Sequence, residues 1–212
     1  MRRSLVVVAL SVGLVCTCGS AVAGGSCSYQ QGDYAAAYAE FQAAADQGDA
    51  ESQYFLGVMH LNGEGVPLSP ETSVEWFRRA ARQGHALAQY RLGLLYYTGR
   101  GVPVDYTDAA RWLRLAAGQG HPRAQHQVGT MFATGRGVEQ DRDEALKWWY
   151  RAADQGNSAS QLALGKAFEK GQGVPANTGQ ALKWYRLAAK QGSRVAKQKS
   201  DELSKRRESF VD

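Results

Sequence analysis

Small and apolar residues recur along this chain at a constant spacing of 36 residues. An Ala-Ala-x-Gln-Gly segment begins at Ala44, Ala80, Ala116, Ala152 and Ala188. A Leu-Gly or Val-Gly pair keeps the same interval, with its glycine at Gly57, Gly93, Gly129 and Gly165. The other two markers are a tryptophan (Trp76, Trp112, Trp148, Trp184) and a Gly-x-Gly-Val loop (from Gly63, Gly99, Gly135, Gly171). Because four markers share one period, the chain is an array of repeats.

Each repeat predicts two antiparallel helices. Helix A follows the Gln-Gly pair and ends at the glycine-rich loop, where glycine supplies the positive φ of a helix C-terminus. Helix B begins at a capping residue (Ser69, Asp105, Asp141, Asn177) and ends at the next Gln-Gly pair. At the helix-A caps, only Asp49, Asn157 and Ser193 are usual acceptors; the other two are His85 and His121.

These elements predict an all-α fold, a right-handed α/α superhelix (solenoid) of 36-residue helix-turn-helix repeats. The array extends over 33–193, with repeats at 49–84, 85–120, 121–156 and 157–192. Residues 33–48 match helix B alone, which indicates a half-repeat cap. We expect 24–32 to be a flexible N-terminus and 194–212 to be a basic C-terminal capping helix or tail.

The glycine inside each helix A predicts close packing. A glycine in a helix interior costs about 1 kcal/mol relative to alanine. Repetition of that cost in four repeats indicates a compensating approach of the two helices. We expect the alanine pair of helix B to provide the matching small surface. The residues after the tryptophans (Phe77, Leu113, Trp149, Tyr185) are expected to wedge between repeats.

The N-terminus has the pattern of a secretory signal peptide over residues 1–23. Arg2 and Arg3 precede an apolar run from Leu5 to Val15, and cleavage is expected after Ala23. The run is too short to span a membrane, so we expect a periplasmic or secreted protein with no transmembrane segment after cleavage.

Cysteine usage changes this picture little. Lipid anchoring at Cys16 or Cys18 is the less favoured alternative, because neither cysteine has the usual Leu and small residue before it. Only Cys27 remains after cleavage, which is too few for an internal disulfide or a thiolate metal site. An idle thiol is favoured over a bond between chains.

The net charge of +5 does not indicate nucleic-acid binding. The excess lies in Arg2, Arg3 and the segment from Lys190 to Asp212, so the repeats are close to neutral and offer no footprint for phosphates. The basic C-terminal segment (Lys197, Lys199, Lys205, Arg206, Arg207) is expected to be solvated, with contact to anionic lipid as the alternative.

We expect no catalytic, metal or cofactor site. The Gly-x-Gly loops follow helices rather than strands, so they are turns and not phosphate loops. His85 and His121 lie one repeat apart, roughly 10 Å at helix-packing distance, which is too far to share a zinc ion. The carboxylates Asp141, Asp143 and Glu144 are explained by a helix start.

The candidate partner site is a stripe on helix A at which residues differ between repeats. Its positions are four and then three residues apart, so they share one helical face. The predicted site is Glu51, Phe55, Val58, Leu87, Arg91, Leu94, Arg123, Gln127, Thr130 and Lys166. It is apolar near its N-terminal end and basic further on, which favours an apolar anchor and acidic or polar groups of a protein ligand. The alternative is that Phe55 and Leu94 only pack between helices.

The Leu-Gly, Gly-x-Gly-Val-Pro, Ala-x-x-Trp and Ala-Ala-x-Gln-Gly elements together resemble the Sel-one-like repeat (SLR) family, relatives of the tetratricopeptide repeats, over about 33–193. The resemblance implies a tetratricopeptide-like solenoid whose first helices line a concave groove. It also implies a non-catalytic adaptor or regulator, which in an exported bacterial member would act in the cell envelope. We expect a monomer.

A cysteine-rich branch of that family is linked to penicillin binding or hydrolysis and pairs cysteines within its repeats. The repeats here contain no cysteine. We therefore do not carry that activity over. An enzyme or binder acting on β-lactam or cell-wall substrates is kept as an alternative by analogy with this branch, and a secreted virulence factor that binds a host protein is another.

Overall fold

The computed structural model describes residues 21–208, which form eleven α-helices and no strand. The helices are α1 (Ala21–Gln31), α2 (Tyr34–Asp46), α3 (Ala50–Asn62), α4 (Pro70–Arg82), α5 (Ala86–Thr98), α6 (Tyr106–Gly118), α7 (Pro122–Thr134), α8 (Arg142–Asp154), α9 (Ser158–Lys170), α10 (Thr178–Lys190) and α11 (Arg194–Glu208). Consecutive helices pack as hairpins, which confirms the predicted helical-repeat solenoid. Helix A of the four full repeats is α3, α5, α7 and α9. The signal-peptide prediction lies outside the described residues, except for residues 21–23.

All five helix-A caps accept a backbone N–H, including the two histidines that looked unsuitable. Nδ1 of His85 accepts from the amide of Ala88 at 3.2 Å, and Nδ1 of His121 accepts from Ala124 at 3.1 Å. The ring nitrogen thus takes the place of an Asp or Asn oxygen. Because Nδ1 is the acceptor, the proton of the neutral ring lies on Nε2.

The two glycines of each loop have different tasks. Gly63 has φ 73° and ends α3, with its N–H donating to the carbonyl of Met59 at 2.8 Å. Gly101 has φ 75°, and a β-carbon there would lie 2.5 Å from the carbonyl group of Pro70. The second glycine therefore lets one repeat pack against the first turn of the previous helix B.

The glycine inside helix A faces a large side chain of helix B in the same repeat. A β-carbon at Gly57 would lie 2.6 Å from the ring of Phe77, and one at Gly165 would lie 2.5 Å from the ring of Tyr185. Leu113 and Trp149 face the other two helix-A glycines. Close approach of the helices is therefore confirmed. The expectation that the alanine pair faces the glycine is wrong, because the bulky neighbour of the tryptophan fills that space.

A chain of buried glutamines joins neighbouring repeats. The amide nitrogen of Gln53 in α3 donates to the carbonyl of Ala45, at the end of the preceding helix B. Its amide oxygen accepts from Gln83, at the end of the following helix B, at 2.8 Å. The same two bonds recur at Gln89, Gln125 and Gln161. Each glutamine thus connects three helices, a role that sequence analysis missed.

The N-terminal segment 24–32 differs from its expected flexibility, because most of it belongs to helix α1. This helix takes the place of a helix A beside α2, and a β-carbon at Gly25 would lie 2.6 Å from the ring of Phe41. Gly25 precedes Phe41 by 16 positions, whereas Gly57 precedes Phe77 by 20. Because the connection between α1 and α2 is shorter, the first hairpin does not follow the 36-residue period. Only its second helix matched the repeat, which indicated a half-repeat.

Helix α11 follows the register of a fifth helix A. Ala196 and Leu203 are buried against α10. Ser200 and Asp201 stand where the first repeat has Leu56 and Gly57. A carboxylate thus stands at the position that is glycine in the four full repeats.

We expect Gly165→Ala to lower the unfolding free energy by about 1–3 kcal/mol, because the new methyl group would overlap the rigid Tyr185 ring. Gly118→Ala is the matched control, since a β-carbon there meets nothing within 4 Å. The control should keep or raise stability by up to about 1 kcal/mol. Urea denaturation followed by circular dichroism measures both. Equal effects of the two variants would contradict the close-packing interpretation.

Candidate functional site

The predicted stripe lies at the surface on α3, α5, α7 and α9. Leu87, Arg91, Arg123 and Lys166 are exposed. The six other members (Glu51, Phe55, Val58, Leu94, Gln127 and Thr130) are half-buried. We call this surface the helix-A face. Its N-terminal, central and C-terminal parts differ in how many of their side chains already have a partner inside the protein.

The apolar N-terminal part is largely engaged in packing. The ring of Phe55 stacks on Phe41 with centroids 4.7 Å apart, and Tyr29 of α1 lies 5.6 Å away. Val58 packs against the neighbouring core. The alternative that Phe55 packs between helices is therefore what the structure shows. Leu87, at 41% exposure, remains an apolar contact open to solvent.

Glu51 also has an internal partner. Its carboxylate accepts from Nε2 of His85 at 2.8 Å, and the His85 ring stacks on Tyr54 with centroids 4.9 Å apart. Since Nδ1 of His85 caps α5, the ring is held on both sides. This bond occupies the carboxylate at the N-terminal end of the face.

The central and C-terminal parts carry cations without counterions. Among the described side chains, those of residues 25–206, no carboxylate forms a salt bridge with Arg91, Arg123 or Lys166. Helices α5 and α7 contain no Asp or Glu, and Glu169 of α9 accepts from the hydroxyl of Tyr185 at 2.6 Å. This part of the helix-A face therefore carries three positive charges, and its helices α5 and α7 carry no negative side chain.

Two histidines on α7 or at its cap, His121 and His126, have lowered pKa values. Burial lowers the pKa of His121, and the positive charges of Arg123 and Arg91 lower it further. Burial also lowers the pKa of His126, whose Nδ1 lies 3.0 Å from Oγ of Ser160. Both rings therefore favour the neutral form near pH 7.

A pocket of about 380 Å³ opens between α7 and α9. Two predicted residues, Thr130 and Lys166, line it. The sequence pattern did not indicate the other chemically distinct lining residues, which are His126, Thr134, Trp149, Leu162 and Gln172. One of these positions does vary between repeats, since successive repeats have Tyr54, Tyr90, His126 and Leu162 there.

The opposite face, formed by helix B, carries a row of tryptophans covered by cations. The guanidinium carbon of Arg79 lies 4.6 Å from the Trp76 ring, and that of Arg151 lies 4.7 Å from Trp148. Trp112 and Trp184 are buried. These rings are mainly structural, and the cations cover the faces that a ligand would otherwise contact.

The described residues contain neither a metal-binding group nor a membrane-spanning helix. In 21–208, no three His, Cys, Asp or Glu side chains are arranged to hold a metal ion. No helix in that range is long and apolar enough to cross a membrane.

Comparison with known proteins gives one family and several similar structures. The Sel1 repeat model matches four consecutive segments, 50–85, 86–121, 122–157 and 158–193. A protective antigen of uropathogenic Escherichia coli strains, displaying an SLR fold, is 36% identical with a TM-score of 0.84. The match covers 87% of this chain but only 41% of the antigen's length.

Two further structures extend this comparison. A Sel1 repeat protein from Oxalobacter formigenes is 30% identical with a TM-score of 0.80, over 84% of this chain and 73% of that one. Cysteine rich protein B of Helicobacter pylori is 20% identical with a TM-score of 0.50, over 59% of this chain and 93% of that one, so it shares the fold alone. Curated proteins give no significant match.

We expect Phe55→Ala to lower the unfolding free energy by about 2–3 kcal/mol, because it removes the stack on Phe41. Leu87→Ala, on the exposed part of the face, should change it by less than about 0.5 kcal/mol. Urea denaturation of both variants tests whether Phe55 contributes to packing and Leu87 does not. A large loss for Leu87→Ala, or none for Phe55→Ala, would mean that the packing is assigned to the wrong residue.

We expect Arg123→Gln to raise the pKa of His121 toward its usual range, because a repelling charge is removed. Titration of the imidazole resonances by NMR measures the shift. Lys147→Gln, which removes an exposed charge on α8, is the control and should leave the His121 pKa unchanged. Equal behaviour of the two variants would argue against a positive potential on the helix-A face.

Proposed function

The chain belongs to the Sel1 repeat family, and we propose that it is a non-catalytic scaffold that binds a protein segment along the helix-A face. The observation that carries this proposal is the row of unpaired cations at Arg91, Arg123 and Lys166, next to the exposed Leu87. Three like charges at matching sides of successive repeats favour an acidic, extended ligand. Leu87 supplies an apolar contact at one end.

The location of this function is proposed to be the bacterial periplasm or the exterior. The support is the sequence pattern of Arg2, Arg3, the run Leu5–Val15 and the cleavage site after Ala23. From this pattern we infer that the chain is exported, and we propose that the exported scaffold is an adaptor or regulator in the cell envelope. Mass determination of the mature chain, expected to begin at Gly24, tests the inference.

A secreted protein that meets a host partner is a second candidate. It is favoured by the similarity to a protective antigen of uropathogenic Escherichia coli, although this chain spans only 41% of that antigen. A β-lactam activity is not proposed, because the likeness to the Helicobacter pylori cysteine-rich protein concerns the fold alone.

The helix-A face is tested by site-specific photocrosslinking in living cells. A benzophenone amino acid at Leu87 is expected to give a specific adduct. Its matched control is Leu115 on α6, which is similarly exposed, at 48% compared with 41%, but belongs to helix B. Changing Arg91, Arg123 and Lys166 to Gln together should abolish the Leu87 adduct.

Two results would contradict the proposed face. One is capture from Leu115 with none from Leu87, which would place the partner on the helix-B side. The other is an adduct at Leu87 that survives loss of all three cations, which would remove the electrostatic basis of the proposal.

A further inference from the structure

The pocket between α7 and α9 lies at a junction that lacks the Tyr–His pair found at the first two junctions between repeats. At the first two junctions a tyrosine of helix A packs on the capping histidine of the next helix A. The Tyr54–His85 and Tyr90–His121 centroids are 4.9 and 4.5 Å apart. At the third junction these positions hold His126 and Asn157. Of these two residues, His126 lines the pocket.

The neighbouring positions enlarge the same space. Ala159 and Ala163 of α9 line the pocket and stand where α5 has Leu87 and Arg91. The ring of Trp149, from α8, forms part of the lining and packs over Gly129 of α7. Small side chains on one wall and a flat aromatic ring thus create an apolar recess in an otherwise polar part of the helix-A face.

The charges around this recess are of one sign. Among the described residues that line it, Lys166 is the only Lys, Arg, Asp or Glu side chain. The hydroxyls of Thr130 and Thr134 donate to backbone carbonyls, at 3.0 and 2.8 Å. Lys166 therefore remains the principal group available to an anion, and the cations of α5 and α7 reinforce its attraction.

We propose that this pocket receives a glutamate or aspartate side chain from the bound segment, with the carboxylate on Nζ of Lys166 and the aliphatic carbons against Leu162 and Trp149. The assignment rests on the proposed function, because it names the chemistry of one subsite on the same face. A charged hydrogen bond at the rim and a small apolar contact below it give selectivity for an acidic side chain over its amide. The pocket thereby fixes the register of the segment along the solenoid.

Peptide titrations observed by NMR test this subsite directly. The probes are two N-acetylated, C-amidated pentapeptides, Leu-Ala-Glu-Ala-Leu and Leu-Ala-Gln-Ala-Leu. The reporter is the indole N–H of Trp149, which is buried and has no hydrogen-bond partner among the described residues. Trp149→Phe assigns its resonance, and the equivalent position in the first repeat is already a phenylalanine, Phe77.

The glutamate peptide is expected to shift the Trp149 resonance and to bind about three- to ten-fold more tightly than the glutamine peptide, the range of a partly exposed charged hydrogen bond. Lys166→Gln should remove this preference. Lys170→Gln is the matched control, because Lys170 is an exposed lysine on the same helix that does not line the pocket. The control should leave the preference intact.

Each other outcome overturns a defined part of the proposal. If backbone amides of the helix-A face shift equally with both peptides, the subsite is wrong and the binding face stands. If a glutamine peptide with a free C-terminus binds as tightly as the glutamate peptide, the pocket binds a terminal carboxylate and not a side-chain carboxylate. If neither peptide shifts any helix-A resonance at millimolar concentration, binding of extended segments by this face fails as well.

Discussion

In every repeat the two helices meet where a glycine of helix A faces a large side chain of helix B. The missing side chain at Gly57, Gly93, Gly129 and Gly165 allows ring or branched carbons to approach the helix backbone. Packing at this distance leaves no space for a methyl group, so the separation of the helices is set by one position. The same contact recurs between Gly25 and Phe41, which makes α1 and α2 a hairpin of the same kind.

Contacts between repeats then follow from groups at the helix ends. The buried glutamines join the end of one helix B to the end of the next through hydrogen bonds on both sides of the amide. At the other end of the hairpins, the second loop glycine packs on the preceding helix B. The first set of contacts consists of hydrogen bonds and the second of close steric packing, and both recur in each repeat. Together they fix how successive hairpins stack.

The position of these packing contacts explains why the helix-A face can vary and bind a partner. Residues that hold the hairpins together lie between the helices or at their ends. The helix-A face makes fewer of these contacts, so its residues differ from repeat to repeat without disturbing the stack. The first part of that face is covered by the packing of α1 and Phe55. The later part combines cations that form no salt bridge among the described residues with a recess lined by Ala159 and Ala163.

The sequence by itself determined the repeat, the position of most helices and the variable stripe, because each depends on residue type at a constant spacing. The hairpin of α1 was missed since its shorter connection breaks that spacing. The role of Phe55 and the recess between α7 and α9 were decided only by tertiary structure. Both depend on which side chains from different helices share one space, and a periodic pattern in one chain contains no information on that volume.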